Sequence, residues 1–496
     1  MVDVRIGTRA FIALLGDWRG SSSGPSYLAL FDRIRLLVLD GRIATDTRLP
    51  AERDLAQGLG VSRTMVSAAY RELRGAGYTH SVRGSGSVTR LPGRAPVTGL
   101  DAAGEYIDFS KATSAAYPGL HSATQRVMDD FAVELGGTGI DPFGSLTLRQ
   151  AVADRYTARG LPTSAEQVMI TIGAQHAIFL LARTLLARGD RAVVELPSYP
   201  HAYESLRAAG ARLVPVTVTA RGDGAGAGDW AGDGAGAGWD APGLQQAFAR
   251  TSPSLAYLMP DFHNPTGESM PAELRAEVLH HAARQGSVVV IDETTAELDI
   301  DRPEKFLPFA AYGDAATAGS VALIGSVGKT VWAGLRVGWV RAEPAIIRKL
   351  AANRFSGDLG TPVLEQLIVA ELLRDFDPVL ELRSAQLRAG RDALERTLAE
   401  TFPSWTVPKV HGGLAAWVNL GAPVSSQLAL AARSHGLLIT AGPRFGIDGA
   451  FERFLRIPIL HQPGDFERGV QALEAAWNGV AGRPLMAQSD LFAEVV

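Results

Sequence analysis

The chain has 496 residues, 46% of them hydrophobic and 20% charged, with a formal net charge of −4 and no cysteine. Such a composition can bury a large core, and the length divides into about two to four domains at roughly 150 residues each. The absence of cysteine excludes disulfides, thiolate nucleophiles and thiolate metal sites, no metal centre is expected, and an acidic molecule can meet nucleic acid only through a local basic patch.

Residues 1–25 read as an N-terminal extension, closed by the Ser/Gly/Pro break at 21–25. Its short apolar segment Ala10–Leu15 is flanked by Asp and Arg, with no small-residue cleavage site after it. No signal peptide is expected, no run approaches the length of a membrane span, and the expected location is the cytoplasm.

From Tyr27 to Leu39 the apolar residues Leu28, Phe31, Ile34 and Val38 fall on one face of a helix that Gly41 stops. A second helix, Ala51–Leu59, is expected to bury Leu55 and Leu59. A Gly turn and a Ser62 N-cap then lead into a third helix, about Arg63 to Arg74, with Val66, Ala69, Tyr70 and Leu73 inward. Helix, short Gly turn and capped helix is the spacing of a helix-turn-helix, and two strand-like pieces around Arg83-Gly84-Ser85-Gly86 have the form of a wing.

Between Arg42 and Arg94 nine arginines stand against four acidic residues, the local excess that phosphate contacts demand. The third helix would enter the major groove with Ser62, Arg63, Thr64 and Ser67 at its leading end. A helical interaction domain with a solvated basic face would share the charge. Against that reading, RLPAERDLAQGLGVSRTMVSAAYRELRGAGY, followed by GSGS, closely resembles the winged-helix domain of GntR-type regulators over 26–91. The resemblance implies that Arg48, Arg53, Arg63, Thr64 and Gly86 lie at double-stranded DNA.

Residues 92–105 are a Pro/Gly/Ala linker. Beyond it, VMITIGAQHAIFLLARTLLARGDRAVVELPSYP gives strand, Gly turn, helix and strand. The repeated GDGAGAG makes 221–239 a low-complexity insert that cannot bury a core, and 483–496 form a tail.

Three strand-like segments then end in chemistry. Leu255–Leu258 runs into a loop presenting Asn264, and the continuous apolar run Val288–Ile291 reads as a parallel strand buried on both faces and ending in Asp292. GSVGKTVWAGLRVGWV places Lys329 in a small-residue turn with Arg336 seven residues on. A Schiff-base lysine needs such a setting, because its amine must reach a carbonyl and small neighbours must let a cofactor approach. Carboxyl ends of strands are where open α/β sheets bind ligands.

This constellation resembles the fold-type I, pyridoxal-phosphate-dependent aminotransferases over 106–482. The resemblance implies an α/β fold with a large mixed or parallel-sheet domain and a small α/β domain, with pyridoxal 5'-phosphate bound through Lys329. It assigns Asp292 to the protonated pyridine nitrogen, Asn264 to the ring hydroxyl and Tyr199 to stacking on the ring. The phosphate would be held by Gly173, Ala174, Gln175, Ser326 and Arg336, and an α-carboxylate by Arg456.

A GntR-type winged helix ahead of an aminotransferase-like domain resembles the MocR-type regulators. That arrangement implies a transcription factor whose second domain senses pyridoxal phosphate or an amino-acid effector, and a head-to-tail homodimer with swapped winged helices. The alternative is a working aminotransferase with an accessory DNA-binding domain. Three positions depart from the family pattern: Thr294 stands where a tyrosine is usual, Ile140 where another is expected, and Gly328 where serine is frequent. These departures suggest looser cofactor binding or a different effector.

Overall fold

The computed structural model describes residues 5–16, 18, 26–39, 42–43, 47–82, 86–89, 106–220, 238–447, 449–462 and 464–481. The wing tip at 83–85, the linker, the insert as far as 237 and the tail at 483–496 lie outside these residues. The chain divides into two compact units, Met1–Asp108 with Ala422–Leu455 and Glu467–Val496, and Phe109–Gly421 with Arg456–Phe466.

The first unit opens with α1 (Thr8–Leu15), followed by α2 (Ser26–Leu39), α3 (Glu52–Leu59) and α4 (Arg63–Gly75). Gly60 ends α3 in the left-handed region at φ 65°, the conformation glycine adopts without a Cβ penalty. Two residues later the Ser62 side chain accepts the Met65 N–H at 3.2 Å and starts α4. Its inner face, Val66, Ala69, Tyr70 and Leu73, is buried, and the Tyr70 hydroxyl donates to Pro50 O at 3.0 Å. Two strands, β1 (Thr79–Val82) and β2 (Gly86–Thr89), pair antiparallel from Thr79↔Thr89 to Val82↔Gly86 as the base of the wing.

Two features differ from the sequence expectation. The fully buried line of α2 is Leu30, Ile34, Leu37 and Val38, while Leu28 and Phe31 are only half-buried. The N-terminal extension belongs to the same core, with Phe11 and Leu15 fully buried beside Leu55, Val66 and Tyr70. Burying each such side chain is worth about 1.5–3 kcal/mol, which accounts for α1 packing here. Arg33 on α2 caps α1, donating from Nε to Leu15 O at 2.9 Å and from Nη2 to Leu14 O at 3.3 Å. The backbone of Arg5 bridges to that of Arg48, and the Ile6 N–H donates to Arg48 O at 3.2 Å. A short strand, β3 (Ile107–Asp108), pairs in parallel with Leu437–Leu438.

The second unit is a sheet layered between helices. In chain order it runs α5 (Leu120–Glu134), α6 (Leu146–Ala158), β4 (Val168–Thr171), α7 (Gly173–Leu185), β5 (Arg191–Leu196), α8 (Pro200–Ala208), β6 (Arg212–Thr219) and β7 (Gly238–Trp239). There follow α9 (Ala241–Thr251), β8 (Leu255–Leu258), α10 (Ala272–Gln285), β9 (Val288–Asp292), β10 (Val321–Ser326), β11 (Gly338–Ala342), α11 (Pro344–Arg354) and α12 (Val363–Leu373). The eight strands lie in the order β4-β11-β10-β9-β8-β5-β6-β7. Neighbours from β10 through β6 are parallel, β11 is antiparallel to both β10 and β4, and β7 is antiparallel to β6. Strands β8 and β10 are almost wholly buried, as strands of a parallel sheet covered on both faces must be, and the antiparallel end strand β4 is buried as well. The fold is mixed α/β, as the sequence leads one to expect.

At the far edge Val218↔Trp239 and Thr219↔Gly238 pair, so the sheet itself joins the two flanks of the low-complexity insert. The Trp239 indole donates to the buried Glu195 carboxylate at 2.7 Å and anchors the returning chain.

Candidate functional site

Sheet register brings the chemistry-bearing residues to one edge. Leu258 pairs with Ile291, Ile291 with Leu323 and Asp292 with Ile324, so β8, β9 and β10 run out in the same direction, with β10 continuing to Ser326. Asp292 closes β9, Asn264 follows β8 by a short loop, and Lys329 stands three residues beyond β10.

Lys329 and Asp292 are joined through Thr294. The lysine Nζ donates to Thr294 Oγ1 at 3.2 Å, and Thr294 donates to Asp292 Oδ1 from its hydroxyl at 2.6 Å and its N–H at 3.0 Å. The other carboxylate oxygen accepts the Tyr257 hydroxyl at 2.7 Å. Burial lowers the Lys329 pKa, Asp292 opposes that shift and Arg456 reinforces it, leaving the amine easier to deprotonate than a surface lysine. Such an amine is a better nucleophile near neutral pH. Ser114 Oγ donates to Lys329 O at 3.2 Å, and the buried Arg383 binds Thr330 O and Val331 O, so the lysine turn is held on both sides.

The Gly173 turn faces β11 and Arg336. Gly173 has φ 77°, and a Cβ there would lie 2.7 Å from Arg336 Nη2, while a Cβ on Gly338 would lie 2.7 Å from Gly173 C. Only glycine fits at either position. The N–H groups of Gly173, Ala174 and Gln175 open α7 without intrahelical acceptors, a setting that favours an anion. Arg336 is exposed at φ 52°, donating from Nη2 to Ile172 O at 3.3 Å and from Nη1 to Ala333 O at 3.4 Å. Ser326 points elsewhere: its hydroxyl donates to Val337 O at 3.0 Å and accepts the Gly328 N–H at 3.0 Å.

Two buried polar atoms of the pocket lack a hydrogen-bond partner among the described residues, Asn264 Oδ1 and Gln175 Oε1. The Gln175 amide nitrogen is engaged, donating to Ser205 Oγ at 3.0 Å. Orphaned buried acceptors are costly and call for a ligand or water. Tyr199 precedes α8, and its pKa is pushed up to about 12 by burial and by the Asp292 charge. Arg456, on the strand Phe454–Pro458, is largely buried, donates to Ser110 O and contributes to the field at Lys329.

In the first unit Arg53, Ser62, Arg63 and Thr64 are exposed around the start of α4, and Gly86 is exposed at φ 85°. Arg48 is half-buried beside the wing. Ser67 is turned aside, since its hydroxyl donates to Glu52 Oε2 at 2.7 Å.

Sequence reasoning missed Tyr257, although a tyrosine in an otherwise apolar buried strand demands a hydroxyl partner. It noticed Thr294 only as a loss, whereas the threonine connects Asp292 to Lys329. Among the described residues no cluster of three or more His, Asp or Glu is arranged to hold a metal, and no helix is long and apolar enough to cross a membrane.

Comparison with known proteins matches two successive stretches of the chain. Residues 123–473 match aminotransferase class I and II, and residues 26–88 match bacterial regulatory proteins of the gntR family. The chain is 30% identical to 2-aminoadipate transaminase of Thermus thermophilus, over 66% of this chain and 79% of that protein. It is 29% identical to the probable rhizopine catabolism regulatory protein MocR of Rhizobium meliloti, over 65% of this chain and 66% of that one. With the HTH-type transcriptional regulator YdfD of Bacillus subtilis it shares 24% identity over 91% of this chain and 97% of the relative. Among solved structures, the α-aminoadipate aminotransferase LysN of Thermus thermophilus, complexed with N-(5'-phosphopyridoxyl)-L-leucine, matches with a TM-score of 0.65 and 27% identity, covering 76% of this chain and 94% of that one. The chain belongs to the aminotransferase class I and II family, joined to a GntR-type winged helix in the arrangement of the MocR-type regulators.

Proposed function

We propose that the protein is a DNA-binding transcriptional regulator whose aminotransferase-like unit binds pyridoxal 5'-phosphate and responds to it or to an amino-acid effector. One observation carries this reading: a single chain holds both the Asp292–Thr294–Lys329 connection at a sheet edge and a capped helix presenting Arg63 and Thr64 to solvent. Its similarity to regulators such as YdfD along nearly their whole length supports it.

The pocket's chemistry fits the cofactor. When bound, pyridoxal phosphate supplies a carbonyl for an amine and a ring that withdraws electrons. Lys329 is the amine for that carbonyl, and Asp292, held by Tyr257 and Thr294, is the charge for the pyridine nitrogen. Asn264 would serve the ring hydroxyl and Tyr199 would stack on the ring. The N–H groups of Gly173, Ala174 and Gln175, with Arg336, would hold the phosphate. Arg456 is the cation for an effector's α-carboxylate, which a guanidinium grips bidentately. Ser326 would join the phosphate site only by turning its hydroxyl from Val337 O.

An effector shifts the protein between arrangements only by its differential affinity for them. The protein acts in this reading as a homodimer in the cytoplasm, with each winged helix swapped onto its partner. The test is binding of purified protein to DNA flanking its own gene, at fixed and stated salt, with and without pyridoxal phosphate. Specific binding that changes with cofactor supports the regulator. Its absence in both conditions counts against it.

A second reading, a turning-over aminotransferase, is favoured by the 30% identity to a transaminase and by the easily deprotonated Lys329, suited to moving a proton at a substrate α-carbon. Multiple turnovers with a panel of amino acids and 2-oxo acids would establish it.

A further inference from the structure

His176 lies one turn into α7, directly behind the Gly173 turn, and no role for it follows from the cofactor assignments. Its ring is half-buried, hydrogen-bonded at Nδ1 and in close polar approach at Nε2 without hydrogen-bond geometry. Nδ1 accepts the Ile172 N–H at 3.1 Å, and Nε2 stands 2.9 Å from Asp358 Oδ2. A backbone N–H can only donate, so Nδ1 carries the lone pair and Nε2 carries the proton, which fixes the neutral tautomer. The carbonyl of Ile172 in turn accepts Arg336 Nη2 at 3.3 Å. Asp358 is itself anchored, accepting Arg354 Nε at 2.6 Å and the Gly360 N–H at 2.9 Å. Arg354 reaches on to Pro142 O, Ile170 O and Thr361 Oγ1. An unbroken line of polar contacts therefore runs from the rigid Arg354–Asp358 pair through His176 and Ile172 to Arg336.

We propose that His176 is a positioning residue for the phosphate cradle: its neutral ring holds the Ile172 peptide, and with it the Gly173 turn and Arg336, in register with Asp358. This rests on the reading of Gly173, Ala174, Gln175 and Arg336 as the phosphate site. Ile172 is the N-cap of α7 and brings no side-chain acceptor of its own, so the histidine supplies the contact that fixes how the following N–H groups point. The charged groups facing the ring are Asp358 and Arg354. Burial pushes the His176 pKa down, Asp358 opposes this and Arg354 adds to it, so the ring stays neutral at physiological pH. Protonation would turn Nδ1 into a donor facing a donor and release the Ile172 peptide. Acid should therefore weaken the grip on a phosphorylated ligand beyond what the ligand's own titration explains.

The experiment measures binding of pyridoxal phosphate and of unphosphorylated pyridoxal to the full-length apo-protein by absorbance, at about pH 8 and at a series of lower pH values descending well below the ordinary histidine value of about 6.5, since the ring titrates below it. His176→Leu removes both contacts. His176→Asn keeps an acceptor close to the Nδ1 position but does not titrate. Expected is about a tenfold loss for pyridoxal phosphate in His176→Leu at the higher pH, as losing a partner for a buried N–H implies, with pyridoxal unchanged. His176→Asn should stay within about threefold of wild type at the higher pH, its non-titrating acceptor still in place, and should weaken less than wild type at the lower values. Equal losses for both ligands, no loss in His176→Leu, or a wild-type acid response in His176→Asn would each overturn the proposal. His176→Asn carries the test alone if His176→Leu does not fold. Arg336→Leu separates the levels. If it leaves the preference for the phosphorylated ligand intact, the cradle assignment falls and the proposal with it. If it abolishes that preference while both His176 variants behave as wild type, only the role of His176 is overturned.

Discussion

Thr294 Oγ1 accepts the Lys329 amine at 3.2 Å and donates to Asp292 Oδ1 at 2.6 Å, so one small side chain sets the distance between the reactive amine and the carboxylate of the pocket. Where the family pattern has a tyrosine, this chain has an internal bridge. Thr294→Val keeps the shape and deletes both contacts. Hydrogen bonds to charged groups are worth about 1.5–3 kcal/mol. Pyridoxal phosphate should therefore bind about tenfold more weakly, and the apo-protein, which makes both contacts, should also lose stability. Affinity within a factor of about two of wild type would show that the bridge does not prepare the site.

Lys329→Met should abolish the visible absorbance of bound cofactor while leaving the circular dichroism spectrum intact. An unchanged band would sink the lysine assignment.

The same variant gives a pH test. The Lys329 pKa in the folded state lies below its ordinary value of about 10.4, so the folded protein holds fewer protons than the unfolded chain in the window between them. Wild-type apo-protein should gain stability as pH rises towards about 10 and lose it as pH falls back through the window. Lys329→Met should be more stable than wild type at neutral pH and show a flatter profile there. Parallel unfolding profiles for the two proteins would contradict the burial of the amine.

Arg275 is wholly buried and forms a bidentate pair with Asp261, three residues ahead of Asn264. Burial alone would raise the Asp261 pKa, but the Arg275 and Arg302 guanidiniums hold it below the ordinary carboxylate range. Its stabilising contribution is therefore full above about pH 4 and is lost as pH falls further. Arg275→Met leaves a buried carboxylate short of a partner and should cost about 3–5 kcal/mol in denaturant unfolding. A cost below about 1 kcal/mol would mean that Arg302 alone satisfies Asp261.

At the start of α4, the Arg63 side chain is 73% exposed and the Glu52 carboxylate is 3.9 Å away, so in the proposed DNA-binding role its charge is available to phosphate. Arg63→Ala should weaken binding to all sequences alike and reduce the salt slope by about one. A loss confined to one base position would instead assign it to base reading. Ser62→Ala removes the cap on Met65 N–H and should cost about 1 kcal/mol of stability in the winged helix.

What the sequence made legible follows from how local the signal was. The inner face of α4 and the buried strand Val288–Ile291 were readable because periodicity and continuous apolar character are local properties. The orientation of β11 and its close packing on Gly173 were not, since they depend on pairing between segments more than 160 residues apart. Phe11 and Leu15 looked like part of an unattached extension because their partners, Leu55 and Val66, lie on helices that only folding brings near. The same limit applies to polar contacts. Thr294 could be seen to differ from a tyrosine, but not to take up the connection to Lys329. Ser326 and Ser67 looked available, yet their hydroxyls are directed at Val337 O and Glu52.

The pairing of Thr219 with Gly238 makes the sheet margin a place where the chain departs and returns at a single rung. The entropy of closing a loop rises only with the logarithm of its length, so lengthening or trimming residues 221–237 should alter stability by a few tenths of a kcal/mol, roughly 0.6 for each doubling. That rung is accordingly a permissive port, where an epitope, a fluorophore or a protease site can be installed without altering the strands that lead to Asp292 and Lys329.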